Sequence, residues 1–119
     1  MPRKPPKDDT VYLLDMFRAA QAVLSFVDGR TLDEYQRDLL LRSAVERQVE
    51  IIGEAARHVS RAFRTSHPAI AWSGITAQRH ILAHEYAEIL DERVWRVATV
   101  HVRTLAEQLK PLLPIDLIG

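Results

Sequence analysis

Residues 78–86 read Gln-Arg-His-Ile-Leu-Ala-His-Glu-Tyr. Within nine positions they supply an arginine, two histidines, a glutamate and a tyrosine. A guanidinium stays charged at any relevant pH and forks onto two phosphoryl oxygens. An imidazole takes or gives a proton near neutrality. Arg79 and His84 converging on one point would therefore suit a phosphate. The histidine would activate a ribose 2′-hydroxyl or protonate a leaving 5′-oxygen, and the arginine would stabilise charge growing on the phosphoryl oxygens. No metal is needed for that chemistry. Tyr86 would orient the phosphate or stack on a base.

Helical geometry limits how these groups meet. Each residue advances ~100°, so Arg79 and His84, five apart, lie about 140° apart on a regular helix. They act together only if the helix ends near His84, if the arginine stem curls round, or if a second copy of the chain completes the site. A two-fold homodimer suits the last option. His80 and His84 are four apart and share a face. That is also a metal-ligand spacing, and Glu50, Glu54 and His58 are further oxygen and nitrogen donors. However, bundle metal sites use Glu-x-x-His pairs, and Glu54 to His58 is one residue too long. We expect no metal and no cofactor.

The elements that must position this stretch read as helices. Leu13, Met16, Phe17, Ala20, Val23, Leu24 and Val27 form one apolar face after a cap at Asp8 or Asp9. "DGRT" at 28–31 ends that helix, with Gly29 able to take the left-handed conformation. Thr31 and Glu34 have capping-box spacing. Leu41, Val45, Gln48, Ile52, Ala55, Val59 and Phe63 then predict a long helix reaching about residue 64. Pro68 breaks it. Ser73 is a candidate cap for a third helix carrying 78–86. Asp91 is a candidate cap for a last helix over 91–113, with Val94, Trp95, Ala98, Val102, Leu105, Leu109 and Leu112 or Leu113 inward. The pattern predicts an all-α, up-down bundle of four main helices. Residues 1–7 read as a disordered basic lead, 8–114 as one domain and 115–119 as a tail.

Composition narrows the function classes. The 119 residues contain no cysteine, which excludes disulfides, thiolate metal sites and a cysteine nucleophile. The first residues lack the apolar core of a secretory signal, and no apolar run approaches bilayer-spanning length. A cytoplasmic protein with no membrane partner is expected. Sixteen basic and sixteen acidic residues cancel, which argues against a surface that coats nucleic acid broadly. A local basic cleft is still allowed.

Arg79-x4-His84-x-Tyr86 resembles the signature of the HEPN superfamily, specifically of the HepT-like (DUF86) toxins of toxin–antitoxin pairs. The resemblance extends over nearly the whole chain. It includes "IIGEAA" from Ile51 to Ala56, "HPAIAW" at 67–72 and "VW" at 94–95. It implies a HEPN-like homodimer and a metal-independent endoribonuclease acting on RNA. Arg79 and His84 would match the family's catalytic pair in a cleft shared by two protomers. The resemblance also implies a nucleotidyltransferase antitoxin that blocks the cleft by adenylylating Tyr86. The family commonly has Asn after the motif arginine and Asp after the histidine; here they are His80 and Glu85.

Plainer roles remain open beside these. Arg79 suits a surface salt bridge to Glu50 or Glu54, and those glutamates in turn suit the cleft wall holding its guanidinium. His84 suits a helix C-terminus. Tyr86 suits a half-buried site with its hydroxyl bonded. Trp72 and Trp95 read as packing residues. Arg42, Arg47, Arg57, Arg61 and Arg64 read as a solvated face balanced by Glu46, Glu50 and Glu54. The rival function is a non-catalytic helical module that binds a nucleotidyltransferase, since fold alone does not specify chemistry.

Overall fold

The computed structural model describes residues 8–77 and 87–118. Among them all regular structure is helical. α1 spans Asp9–Val27, α2 Leu32–Arg37, α3 Leu39–His58 and α4 Arg61–Ser66. α5 is the helical stretch 72–77. α6 spans Ala87–Arg96 and passes through a π turn, Val97–His101, into α7, Val102–Leu109. A 3₁₀ turn, Lys110–Leu112, and a short α8, Ile115–Ile118, complete the chain. Three long helical rods carry the described core: α1, α3 and the continuous α6–α7 rod. The disordered lead expected over 1–7 lies outside the described residues, as does the helix expected to carry 78–86.

α1 forms as its periodicity predicts. The Asp8 carboxylate accepts from the Thr10 N–H at 3.0 Å and caps it. Leu13, Met16, Phe17, Ala20 and Val23 are buried. Gly29, at φ 68°, turns the chain out of the helix, a conformation that costs glycine little. By length and composition α1 could span a membrane, which the sequence reading did not anticipate. In the fold its apolar side packs on α3 and α7.

The predicted long helix is instead cut twice. Thr31 and Glu34 close their capping box, and Asp38 leaves helical geometry at φ −112°, ψ 98°. Its carboxylate accepts from the Leu41 N–H at 3.1 Å, which starts α3. α3 then stops at His58 rather than near 64. Ser60 caps a new helix by accepting from the Phe63 N–H at 3.1 Å. Both the backbone N–H and the hydroxyl of Ser60 donate to the Asp9 carboxylate, at 2.8 and 2.6 Å. Asp9 thus pins the start of α1 to the α3–α4 junction, and α1 and α3 run antiparallel.

α3 buries Leu41, Val45, Val49, Ile52 and Ala56. Val49 takes the inward position assigned to Gln48. The last rod starts by residue 87, so Asp91 lies inside it and caps nothing. Ser73 likewise lies within α5, where Ile75 already bonds back to the Ala71 carbonyl.

The π turn resets the register of the last rod. Val94, Ala98 and Val102 are all buried, yet eight α-helical residues overshoot two turns by about 80°. One wider turn returns Val102 to the core line. Its mark is the bond from the Val102 N–H to the Val97 carbonyl, five residues back.

Candidate functional site

Arg79, His80, His84 and Tyr86 lie outside the described residues. The structure describes the shoulders on either side of them and the helices those shoulders rest on.

The N-terminal shoulder is built from "HPAIAW". Pro68 forbids helix continuation, and His67 turns out at φ −127°, ψ 61°. The His67 ring stacks on Phe63 with centroids 4.0 Å apart, and Phe63 meets Trp72 edge-on at 6.3 Å. Trp72 is buried, and its indole N–H donates to the His67 carbonyl at 3.0 Å. Gln108 donates to the Ala69 carbonyl at 3.0 Å. This aromatic corner fixes where α5 begins, and α5 leads directly into residue 78. Between α5, α3 and the last rod lies an apolar groove of about 370 Å³, walled by Val49, Ile52, Ile75, Val102 and Leu105, with His101 at its edge.

The C-terminal shoulder is the start of α6. Trp95 leans against Tyr35 of α2 with centroids 5.4 Å apart. Tyr35 is fully buried, and its hydroxyl has no partner among the described residues. Burial raises its pKa well above the ordinary phenol value, and the negative charges of Glu46 and Asp91 add to the shift. Burial also raises Glu46, assisted by Asp91, against the opposing charge of Arg42. Asp91 is raised by burial as well. Arg42 donates to the Gln36 carbonyl. Tyr35 of α2, Arg42 and Glu46 of α3 and Asp91 of α6 thus lie near enough to feel one another's charge, beside the helix that begins one residue after Tyr86. The sequence reading treated Arg42 and Glu46 as surface charges and gave Tyr35 no role. The signal available was Tyr35 in an otherwise polar turn.

Glu50 and Glu54, expected to wall the site beside Arg79, line a hollow whose relation to Arg79 lies outside the described residues. It is an open hollow of about 730 Å³ between α1 and α3, lined by Tyr12, Asp15, Arg47, Glu50, Glu54 and His58. Glu50 lies 3.6 Å from Arg47. Glu54 pairs with Arg57 at 2.9 Å and meets the His58 ring at 3.2 Å. Tyr12 stacks on His58 at 5.2 Å. Three carboxylates, Asp15, Glu50 and Glu54, meet one arginine, Arg47, in the lining, so acidic groups predominate in the hollow. Among the described residues no three His, Asp or Glu side chains gather as a metal would require.

Comparison with known proteins fits the shoulders together. A family model described as Ribonuclease HepT-like matches residues 16–112. That range runs from the core of α1 to the end of the 3₁₀ turn and includes the whole of 78–86. A Methanocaldococcus jannaschii protein provisionally named an RNase is 31% identical over 93 residues, 78% of this chain and 77% of the relative. A second such protein of that organism is 29% identical over 104 residues, covering 87% and 95%. A Thermococcus cleftensis protein provisionally named ribonuclease HepT is 27% identical over 101 residues, covering 85% and 92%. No solved structure matches. A match over so much of the chain, with both shoulders inside it, places the protein in the HepT-like ribonuclease family.

Proposed function

We propose that the chain is a metal-independent endoribonuclease, the toxin of a toxin–antitoxin pair. The observation that carries the reading is Arg79-x4-His84-x-Tyr86 within a chain that belongs to the HepT-like ribonuclease family. Relatives that carry RNase names over most of their length support it. His84 takes the 2′-hydroxyl proton, the hydroxyl oxygen attacks the adjacent phosphorus, and the 5′-oxygen leaves as it gains a proton. Arg79 balances the charge on the phosphoryl oxygens. A two-fold dimer completes the cleft by bringing Arg79 of one copy to His84 of the other. His80 assists in phosphate positioning, and Glu50 and Glu54 serve as the wall that steadies the arginine. A nucleotidyltransferase antitoxin silences the site by adenylylating Tyr86.

Incubation of the purified chain with total RNA in EDTA tests the core of this reading. Wild type should cleave and leave 2′,3′-cyclic phosphate ends. Arg79→Ala should lose on the order of 10²–10³ in rate, the scale of removing one charge-stabilising donor. His84→Ala should lose on the order of 10²–10⁴, the scale of a general base. Equal cleavage by all three proteins would mean a contaminant or a different site, and none by correctly folded wild type would move the assignment to the non-catalytic module. The same proteins, incubated with the antitoxin and ATP and weighed intact, should show one adenylyl gain that Tyr86→Phe abolishes.

A further inference from the structure

A basic, Pro-rich segment enters the fold beside the acidic hollow. Pro2-Arg3-Lys4-Pro5-Pro6-Lys7 carries three cations and no acid. It joins α1 through Asp8, and Asp9 is tied to Ser60 at the α3–α4 junction. The hollow starts close to that point. Tyr12, in the first turn of α1, stacks on His58, the last residue of α3, with ring planes 19° apart. From this ring pair the hollow extends between the two helices past Glu54, Asp15 and Glu50 to Arg47, with Ile51 and Ala55 also in its lining.

Segment and hollow match in charge, in surface and in length. Arg47 answers Glu50 and Arg57 answers Glu54. Asp15 is exposed and forms no ion pair among the described residues. Exposed pairs of this kind are weak, so the three carboxylates can take further cations. Pro-rich chain favours an extended left-handed helix, and such segments dock on grooves lined by aromatic rings. Pro2-x-x-Pro5 has the spacing of those ligands, and the Tyr12–His58 stack offers the rings. Six residues in that conformation span about 19 Å. Along α3 the distance from His58 to Arg47 is about 16 Å. Prolines also leave less chain freedom to be lost on docking.

We propose that residues 2–7 dock in the hollow between α1 and α3 of their own chain, with the prolines over the Tyr12–His58 rings and Arg3, Lys4 and Lys7 toward Asp15, Glu50 and Glu54. The docked segment supplies the positive charge that the hollow lacks. It does not rest on the nuclease reading. Where that reading also holds, the segment competes with Arg79 for Glu50 and Glu54.

Lys4, Lys7 and Lys110 are the only lysines of the chain, so a water-soluble carbodiimide, which joins an amine to a carboxylate it touches, reports on the segment directly. The full-length wild-type chain is treated without RNA. Monomer and dimer bands are digested separately, and the linked peptides are quantified by mass spectrometry. In the monomer, Lys4 and Lys7 should link chiefly to Asp15, Glu50 and Glu54. At about 1 M salt, where the screening length is about 3 Å, these links should fall to the level of links to the exposed Glu92 and Glu107. Pro2→Gly/Pro5→Gly/Pro6→Gly keeps all three cations and lies outside every described helix. It should lower the hollow links on the order of tenfold, because the free segment gains conformations that docking must remove. Links spread evenly over exposed carboxylates, or links found only between two copies, would overturn docking within the chain. So would hollow links that ignore both salt and the proline changes, which is the result of a loose tether meeting Asp15 by proximity. Cleavage is not read, so a failed nuclease assay leaves this result standing.

Discussion

The stretch from Arg30 to Arg57 and the α6–α7 rod carry similar basic residues and treat them differently. In the first, each of the five arginines has a protein partner. Arg30 bonds Glu34 and Asp38 at 3.1 and 3.0 Å, and Arg37 bonds Asp33 at 3.1 Å. Arg47 and Arg57 face Glu50 and Glu54, while Arg42 donates to the Gln36 carbonyl. On the rod, Arg96, Arg103 and Lys110 have none among the described residues. The backbones differ in the same direction. α3 is regular for 20 residues, whereas the rod contains a π turn at its middle. A net charge of zero over the chain therefore hides an uneven distribution. The arginines of α2 and α3 are partnered where they stand, whereas Arg96, Arg103 and Lys110 form no ion pair among the described residues.

The largest difference between the two regions should appear on shortening them by one residue. Deleting Thr99 removes the extra residue that the π turn accommodates. Val94, Ala98 and the former Val102 then fall at ordinary α spacing, and the core line survives. The change should cost no more than about 1 kcal/mol, chiefly the lost bond from the Thr99 hydroxyl to the Trp95 carbonyl at 2.8 Å. Deleting the exposed Ser43 of α3 offers no such relief. Everything after it rotates by ~100°, which turns Val45, Val49 and Ile52 off the core. That should cost more than about 3 kcal/mol, as loss of several buried side chains does. Urea unfolding of the two variants makes the comparison. Equal losses would mean that the π turn is not the slack in the rod.

Much of this contrast was legible in the residues, and its limits have physical causes. Apolar periodicity found the inward line of α1 and of the rod, because burial of one helix face leaves a direct imprint. The spacing Val94, Ala98, Val102 did not announce the π turn, since Leu41, Val45 and Val49 are buried at the same spacing in regular α3. The Thr31–Glu34 box was readable because its two bonds are local. The break at Val59 and Ser60 was not, since Ser60 is held by Asp9 from the far end of the chain. Tyr35, Glu46 and Asp91 come near one another from three elements, and no spacing along one helix reports that. "HPAIAW", noticed through resemblance, proves to be an aromatic corner that seats α5. For the candidate site, Glu50 and Glu54 line a hollow between α1 and α3, while their support of Arg79 and the roles of Arg79, His80, His84 and Tyr86 rest on chemistry and family.

The smallest effects sharpen the charge comparison. Arg96→Ala removes an exposed side chain with no ion pair among the described residues, so stability should stay within about 0.5 kcal/mol at any salt. Arg30→Ala unties two carboxylates and should lower the urea midpoint measurably at pH 7. The loss should shrink at high salt, where exposed pairs are screened. Its pH dependence has a definite sign. The pKa of Asp38 is held down first by the Leu41 N–H and then by the Arg30 guanidinium. A carboxylate lowered in the folded state stabilises the fold above its unfolded pKa, about 3.9. That contribution is lost as pH falls through the lower folded value. The gap between wild type and Arg30→Ala should therefore be full above about pH 5 and close as the pH drops below about 4. Arg96→Ala should track wild type across the whole range. A gap for Arg96→Ala that opened and closed with pH would reveal a carboxylate partner on the rod, and the two regions would then differ in backbone alone.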